Sequence, residues 1–182
     1  MRTFLALPID KDTKKRINSY IEKFKKEIKS KVKWVEEENL HFTIFFFGEI
    51  DNNISLKIIN LLETKKVNFK PFKVEIKNIS FFPNERSPRV IFLDISKGEK
   101  EMKEIYYSLF PDLNKILKLK KENFVPHLTI GRVKDILFEE DIKRLINEKF
   151  DIKEFLINKI TFFESKLTPE GSIYKSIKDF DF

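Results

Sequence analysis

The 182-residue chain contains an internal duplication, which restricts the folds open to it more than any other feature of the sequence. In each half, an extended run opened by an arginine is followed by an amphipathic segment, a run with a histidine, a second amphipathic segment and an extended run ending in two phenylalanines. His41 and His127 lie 86 positions apart. The arginines Arg2 and Arg89 lie 87 apart, and the offset falls to 81 at the phenylalanine pairs. Two copies of so long a unit predict two similar lobes related by a pseudo-twofold axis, and not a solenoid.

The order of these segments predicts an α+β fold with two lobes. Each lobe is expected to hold a small, mainly antiparallel sheet backed by helices, and the active-site cleft is expected to lie between the lobes. We treat residues 1–182 as a single domain with approximate repeat units 1–86 and 87–171. A further strand is expected at the C-terminus, residues 172–182, where apolar and polar residues alternate.

The composition predicts a globular protein with a core rich in phenylalanine. Hydrophobic residues make up 41% of the chain and 20 residues are Phe, which argues against intrinsic disorder. The absence of Cys excludes disulfides, catalytic thiols and Cys-ligated metal sites, and two histidines leave little for a His-built metal centre. No segment is apolar enough for a signal peptide or a membrane span. We therefore expect a cytoplasmic protein that uses no metal and does not bind membranes.

The positive charge of the chain is concentrated in residues 11–33. This segment has ten basic and three acidic residues, which accounts for the whole net charge of +7. Its apolar residues recur at the spacing of one helix face, which predicts a helix with one buried side; they are Ile17, Tyr20, Ile21, Phe24 and Ile28. Two interpretations of the Lys11–Lys33 helix stay open: a solvated lysine-rich face, or a contact surface for an anionic polymer such as RNA.

Both histidines occur in the same short pattern, His-apolar-Thr-apolar. Side chains alternate faces along a strand, so His41 and Thr43 are expected to point one way while their neighbours point into the core. His127 and Thr129 repeat the arrangement. If the lobes pack with pseudo-symmetry, the two His-Thr pairs converge across the cleft.

Such a site has the groups needed for an in-line displacement at a phosphodiester. One imidazole can take a proton from the nucleophile while the other gives a proton to the leaving oxygen. Two threonine hydroxyls can donate hydrogen bonds to the non-bridging phosphate oxygens, and no metal is required. A lone histidine in a strand is more often a structural residue, but two matched copies that are each followed by Thr favour catalysis.

With these motifs, the chain resembles the two-histidine phosphoesterase superfamily and, within it, the RNA 2',3'-cyclic phosphodiesterases of bacteria and archaea, formerly called 2'-5' RNA ligases. The resemblance rests on Asn39–Gly48 and Pro126–Arg132, which hold the two motifs. It also rests on the opening Arg-x-Phe-x-Ala, on Trp34-Val35, and on the tail from Glu164 to Tyr174. It extends over essentially the whole chain.

The resemblance implies a bilobal fold and metal-independent opening of a 2',3'-cyclic phosphate at an RNA end to a 2'-phosphate. By resemblance, His41 is the proton donor to the departing 3'-oxygen and His127 is the proton acceptor that activates water. Thr43 and Thr129 are then the residues that hold the phosphate oxygens. The near-symmetry of the motifs does not by itself distinguish the acid from the base. The implied partner is RNA with a cyclic phosphate terminus, such as a tRNA fragment, no cofactor is implied, and we expect a monomer.

Further substrate contacts are predicted from less specific signals. Arg132 lies five positions after His127, and on an uninterrupted strand this odd spacing turns it away from the cleft, although Gly131 allows a bulge. It is therefore expected either to touch phosphate or base or to form a surface ion pair. Tyr174 is the preferred candidate for stacking on a nucleobase, ahead of Trp34 and Phe47.

Two further functional hypotheses use the same residues. Microscopic reversibility allows the same site to join a cyclic phosphate to a 5'-hydroxyl, which forms a 2'-5' linkage. Alternatively, the cleft and the basic segment form a non-catalytic module that binds RNA or nucleotides. The two intact His-Thr pairs argue against this alternative, because binding alone does not need two imidazoles.

Overall fold

Helices and strands alternate along the described residues, 1–169 and 171–182, of the computed structural model. Within this part of the chain the strands are β1 (Arg2–Pro8), β2 (Val32–Trp34), β3 (His41–Glu49), β4 (Phe72–Phe82), β5 (Val90–Lys97), β6 (Leu128–Val133), β7 (Phe155–Ile157), β8 (Lys159–Leu167) and β9 (Ser172–Asp181). The helices are α1 (Lys11–Glu27), α2 (Asn52–Lys65), α3 (Glu99–Leu117) and α4 (Glu139–Ile146). The expected C-terminal strand is present as β9.

The strands form one antiparallel path in the order β7-β4-β5-β6-β3-β1-β8-β9, with β2 paired to the C-terminal half of β6. At the centre of the path, β3 and β6 share one backbone pair among the described residues, Phe42 with Leu128. This narrow junction separates a β3-β1-β8-β9 sheet from a β7-β4-β5-β6-β2 sheet, which confirms the predicted α+β fold with two lobes. Because the two histidine motifs lie at the starts of β3 and β6, the junction also brings both motifs to the centre of the molecule.

Neither sheet is built from one half of the chain. β4, from the first half, pairs with β5 of the second half, and β8, from the second half, pairs with β1 of the first. No single cut in the chain therefore separates the two sheets. The repeat boundaries near residues 86 and 171 stay a prediction from the sequence.

Helix α1 ends before the basic segment does. The helix stops at Glu27, and the lysines beyond it lie in a turn and on β2. In that turn, the backbone N and the Oγ of Ser30 both donate hydrogen bonds to the buried carboxylate of Asp141, at 2.8 and 2.6 Å. This anchor, together with the preference of β-branched Val32 for extended backbone, directs the chain into a strand. The expected helix over Lys11–Lys33 is thus shorter than its charge pattern suggested.

The core is rich in phenylalanine, as the composition predicts. Fully buried rings come from β3, β8, β9 and α1, and they belong to Phe24, Phe42, Phe162 and Phe180. Full burial of one such side chain stabilises the fold by about 1.5–3 kcal/mol. None of the described helices has the length and apolarity needed to cross a membrane.

Candidate active site

A cavity of about 390 Å³ opens where the two sheets meet. Its lining includes each of the six residues that the sequence placed in the site, namely His41, Thr43, His127, Thr129, Arg132 and Tyr174. Other polar side chains at the wall were not singled out by the sequence, namely Asn39, Ser165 and Ser172. The two His-Thr pairs therefore reach one cavity.

His41 stands at the start of β3 and is held through its Nδ1 atom. Nδ1 lies 2.7 Å from the backbone oxygen of Asn39. A carbonyl oxygen only accepts hydrogen bonds, so Nδ1 carries a proton. Nε2 lies 2.9 Å from Oγ1 of Thr43. In the neutral imidazole the Thr43 hydroxyl donates this bond to Nε2.

His127, immediately before β6, is held in the same way. Its Nδ1 lies 2.7 Å from the backbone oxygen of Val125, again two residues earlier in the chain. The proton is therefore on Nδ1 here too, and Nε2 is the nitrogen that remains for a reacting group. The two histidines share their backbone support as well as their sequence motif.

Both imidazoles have a lowered pKa. Burial is the largest cause for His41 and lowers its pKa to about 4. The charge of Lys14 acts in the same direction, whereas the hydrogen bond to Asn39 opposes the shift. Burial also lowers the pKa of His127, opposed by its backbone hydrogen bond and assisted by the charge of Arg132. Both rings are therefore mainly neutral at pH 7.

Aromatic side chains bury each imidazole. Phe4 lies with its ring 5.0 Å from that of His41, measured between centroids, and the ring of Tyr174 meets His41 edge-on at 5.4 Å. Around His127, the rings of Phe82 and Phe92 lie 4.9 and 5.3 Å away. These rings remove water from the imidazoles, which is why burial dominates both pKa shifts.

Matched bulges in β3 and β6 turn one further side chain of each strand into the cavity. The register of β3 against β1 slips by one residue at Ile44, and the register of β6 against β5 slips by one at Ile130. Each slip reverses the alternation of side chains beyond it. As a result Phe46 and Arg132, each five positions after its histidine, line the cavity. The bulge that the sequence allowed beside Gly131 is present, one residue earlier.

Two of the three aromatic candidates for nucleobase stacking face the core. Trp34 stacks on Phe24 with ring centroids 5.8 Å apart, and Phe47 meets Phe162 edge-on at 6.0 Å. Neither Trp34 nor Phe47 is among the described residues that line the cavity, so the structure favours Tyr174 over both as the stacking candidate. Trp34 on β2 thus contacts a ring of α1, and Phe47 on β3 contacts a ring of β8 in the same sheet.

Phe46 is an aromatic side chain at the mouth of the cavity, and it was not predicted from the sequence. It is 53% exposed, and the guanidinium carbon of Arg2 lies 4.8 Å from its ring centre. The signal that could have found it is its spacing from His41, which equals the spacing of Arg132 from His127. Arg89, the counterpart of Arg2 in the duplication, is not among the described residues of the lining.

Part of the positive charge on α1 is neutralised within the protein. Lys23 pairs with Glu148 at 2.6 Å, and Lys25 pairs with Glu22 at 2.7 Å. Other basic residues of this helix are exposed, namely Lys11, Lys15, Arg16 and Lys26. The fold is thus compatible with both the solvated face and the RNA-contact interpretation of this helix.

Comparisons with known proteins agree with the motifs. A family model described as LigT like Phosphoesterase matches residues 7–92 and 98–174. A Methanocaldococcus jannaschii protein named RNA 2',3'-cyclic phosphodiesterase is 37% identical over 181 residues, which cover 98% of this chain and 99% of that protein. A Thermotoga maritima protein of the same name is 34% identical over 183 residues, which cover 100% of this chain and 96% of that protein.

Solved structures share the fold at lower identity. A protein of Thermus thermophilus superposes with a TM-score of 0.84 at 20% identity, over 100% of this chain and 97% of that one. Escherichia coli LigT, solved with 3'-AMP, superposes with a TM-score of 0.80 at 17% identity, over 99% of this chain and 97% of that one. The duplicated motif, the shared cavity and the family match over most of the chain lead to one conclusion. The chain belongs to the family of LigT-like phosphoesterases.

Proposed function

We propose that this protein is an RNA 2',3'-cyclic phosphodiesterase, which hydrolyses the cyclic phosphate at an RNA end to a 2'-phosphate. The observation that carries the proposal is the matched support of two imidazoles at one cavity. Nδ1 of His41 and of His127 each lies 2.7 Å from a backbone carbonyl oxygen, which leaves Nε2 of each ring for a reacting group. The full-length relatives named for this activity support the same reaction.

The two histidines act on opposite sides of the phosphorus atom. Nε2 of His127 takes a proton from a water molecule while the water oxygen attacks phosphorus. Nε2–H of His41 gives a proton to the 3'-oxygen as the bond between that oxygen and phosphorus breaks. The product carries a 2'-phosphate and a 3'-hydroxyl, and each histidine ends in the protonation state from which the other began.

His41 must be protonated to serve as the acid, although its pKa is about 4 in the free protein. The bound phosphate carries a negative charge, which favours the imidazolium and raises this pKa. Protonation also reverses the hydrogen bond between Nε2 and Thr43, because Nε2–H then donates. The Thr43 hydroxyl is thereby released to donate to a phosphate oxygen, and Thr129 provides the second such donor.

Arg132 and Tyr174 complete the proposed substrate contacts. The guanidinium of Arg132 is an exposed positive charge at the lining, suited to the negative charge that grows on phosphate during attack. The ring of Tyr174 lies edge-on to His41, where it can contact the ribose or the base of the terminal nucleotide.

The same residues can run the reverse reaction, in which a 5'-hydroxyl replaces water and a 2'-5' linkage forms. A non-catalytic binding module is not favoured, because relatives along the full chain are named as phosphodiesterases. The proposed substrate is RNA that ends in a cyclic phosphate, such as a tRNA fragment, processed by a monomeric protein in the cytoplasm.

The test is incubation of the purified protein with an oligoribonucleotide that ends in a 2',3'-cyclic phosphate, in the presence of EDTA. The same oligonucleotide ending in a 3'-phosphate serves as the control substrate. Conversion of the cyclic end to a 2'-phosphate supports the proposal. A 3'-phosphate product, or no conversion over several RNA lengths, contradicts it.

A further inference from the structure

A second, smaller cavity of about 150 Å³ adjoins the first on the side of His41. The two cavities share four lining residues, Asn39, His41, Ser172 and Tyr174. A hydrogen bond of 2.9 Å from Nδ2 of Asn39 to the backbone oxygen of Ser172 joins opposite parts of this shared wall. These shared residues place the second cavity next to whatever part of a bound molecule lies beside His41.

Lys14, at the end of the first turn of α1, supplies the positive charge of this second cavity. Its Nζ donates one hydrogen bond, of 2.6 Å, to the backbone oxygen of Glu38. Within the described part of the chain, its ammonium forms no ion pair with a carboxylate. An ammonium group has three donors, so Lys14 retains donors for an anion.

The charge of Lys14 is close enough to His41 to lower the pKa of that imidazole. Burial lowers the pKa of Lys14 itself, and the charges of Glu37 and Glu38 oppose that shift. Glu38 also lines the second cavity, but it is exposed, whereas Lys14 is half-buried. The cavity beside His41 is therefore a place where an anion finds a partly desolvated cation.

The chemistry of the ribose identifies the anion. This step rests on the proposed function, in which His41 protonates the departing 3'-oxygen. The 3'-carbon is bonded to the 4'-carbon, which carries the 5'-carbon and the next phosphate of the chain. The 2'-carbon, in contrast, is bonded to the carbon that carries the base. The side of the nucleotide that faces His41 is thus the side from which the RNA chain continues.

We propose that the second cavity, with Lys14, receives the phosphate on the 5' side of the terminal nucleotide. The protein then distinguishes RNA ends and 5'-phosphorylated nucleotides from simple nucleoside cyclic phosphates. Of the basic residues of α1, Lys14 is the one that contacts the substrate beside the reacting phosphate. This proposed contact of Lys14 does not depend on the exposed lysines of α1.

The experiment compares adenosine 2',3'-cyclic phosphate with the same compound bearing a 5'-phosphate. The wild-type protein should hydrolyse the 5'-phosphorylated compound with a kcat/KM about tenfold higher or more, because one charge-assisted hydrogen bond has roughly that worth. Lys14→Met should remove this preference, and Lys14→Arg should retain most of it. Lys15→Met, at the exposed neighbouring position, is the matched control and should keep the wild-type ratio.

The ratio of the two kcat/KM values separates the contact from the electrostatic effect on His41. Loss of the Lys14 charge raises the pKa of His41, and this change affects both substrates alike. The proposal is overturned if Lys14→Met still prefers the 5'-phosphorylated compound, or if the wild-type protein shows no such preference. In either case, hydrolysis of the simple cyclic phosphate still supports the proposed function. Hydrolysis of neither compound, nor of a cyclic-ended oligonucleotide, overturns both.

Salt dependence gives a second measurement. A phosphate contact to single-stranded nucleic acid contributes about 0.7 to the slope of log affinity against log salt concentration. The affinity for a single-stranded oligoribonucleotide that ends in a 2'-phosphate, the reaction product, should therefore lose about this much slope in Lys14→Met. An unchanged slope contradicts the contact.

Discussion

The backbone carbonyls of Asn39 and Val125 set the tautomer of the two imidazoles. Each carbonyl keeps a proton on Nδ1, so Nε2 is the atom whose protonation changes during the reaction. A neutral carbonyl also raises the pKa of its histidine less than a carboxylate would, and burial then dominates. Both rings consequently rest in the neutral form and depend on the substrate anion for protonation.

The first prediction concerns this dependence and is tested by NMR titration of the imidazole C–H resonances. In the free protein, His41 should titrate with a midpoint near 4, well below the ordinary value of 6.5. Because an anion binds the protonated form more tightly, adenosine 2'-monophosphate should move the midpoints of both histidines upward, and its affinity should rise as the pH falls from 8 to 5.

The chain has two histidines, so the variant that lacks one assigns the resonance of the other. A midpoint for His41 near 6.5 in the free protein, or a downward shift with the nucleotide, would contradict the account of the resting state.

The second prediction concerns the threonine hydroxyls. Thr43→Val and Thr129→Val keep the shape of each side chain but remove a donor to the phosphate oxygens. Each should lower kcat by roughly 10²-fold, the lower end of the range for one donor to a developing oxyanion. Thr64→Val, on the exposed face of α2, is the control and should leave kcat unchanged. Normal turnover in either cavity variant would place the phosphate elsewhere.

At the scale of elements, the bulges in β3 and β6 determine which side chains reach the cavity. Without them, the residues five positions after His41 and His127 would face the core. The bulge of β6 is followed by Gly131, which is paired with Trp34 of the neighbouring antiparallel strand β2. A Cβ at Gly131 would lie 2.8 Å from Cγ1 of Val32 and 3.1 Å from the ring of Trp34. Glycine is therefore needed here because of the neighbouring strand.

The third prediction follows from this close approach. Gly131→Ala should push β2 away from β6, lower the free energy of unfolding by roughly 1–3 kcal/mol and displace Arg132, which lowers kcat/KM as well. Adding Val32→Ala removes the closest atom and should recover part of the stability. Denaturant unfolding measures the first effect. An alanine variant as stable as the wild type would show that β2 does not constrain this position.

The bulges also explain which parts of the site could be predicted from the sequence. Strict alternation was enough to bring His41 and Thr43 to one face, because both precede the bulge. Beyond a bulge, strict alternation fails, so it does not identify Phe46 as a residue of the cavity. Trp34 follows the basic segment on β2, and its packing against Phe24 of α1 is a tertiary contact that no local pattern predicts. A one-residue slip has no strong sequence signal of its own unless the two motifs are compared position by position.

At the scale of the whole molecule, the exchange of β4 and β8 ties the two halves of the chain together. The duplication predicted two lobes and a cleft, and both are present. The exchange of β4 and β8 could not be predicted from the sequence. The last strand of each repeat unit buries the same apolar residues whether it pairs within its own half of the chain or with the other half. The exchange makes each sheet, and the cavity between them, dependent on both halves.

The fourth prediction is that the protein unfolds in one cooperative transition. Trp34, the single tryptophan, reports on β2, and circular dichroism reports on all helices and strands. The two probes should give the same midpoint in denaturant, because neither sheet can persist when the other half of the chain is unfolded. Separate midpoints would show that one sheet is independently stable.

The proposed mechanism depends on two histidines from one duplicated motif, which act as acid and base in one cavity. The most direct test is the turnover of His41→Ala and of His127→Ala on a cyclic-ended oligoribonucleotide, with folding checked by circular dichroism. Each variant should lower kcat by roughly 10²- to 10⁴-fold, with a much smaller change in KM. A variant of either residue that keeps more than a tenth of the wild-type kcat would contradict the paired acid–base mechanism.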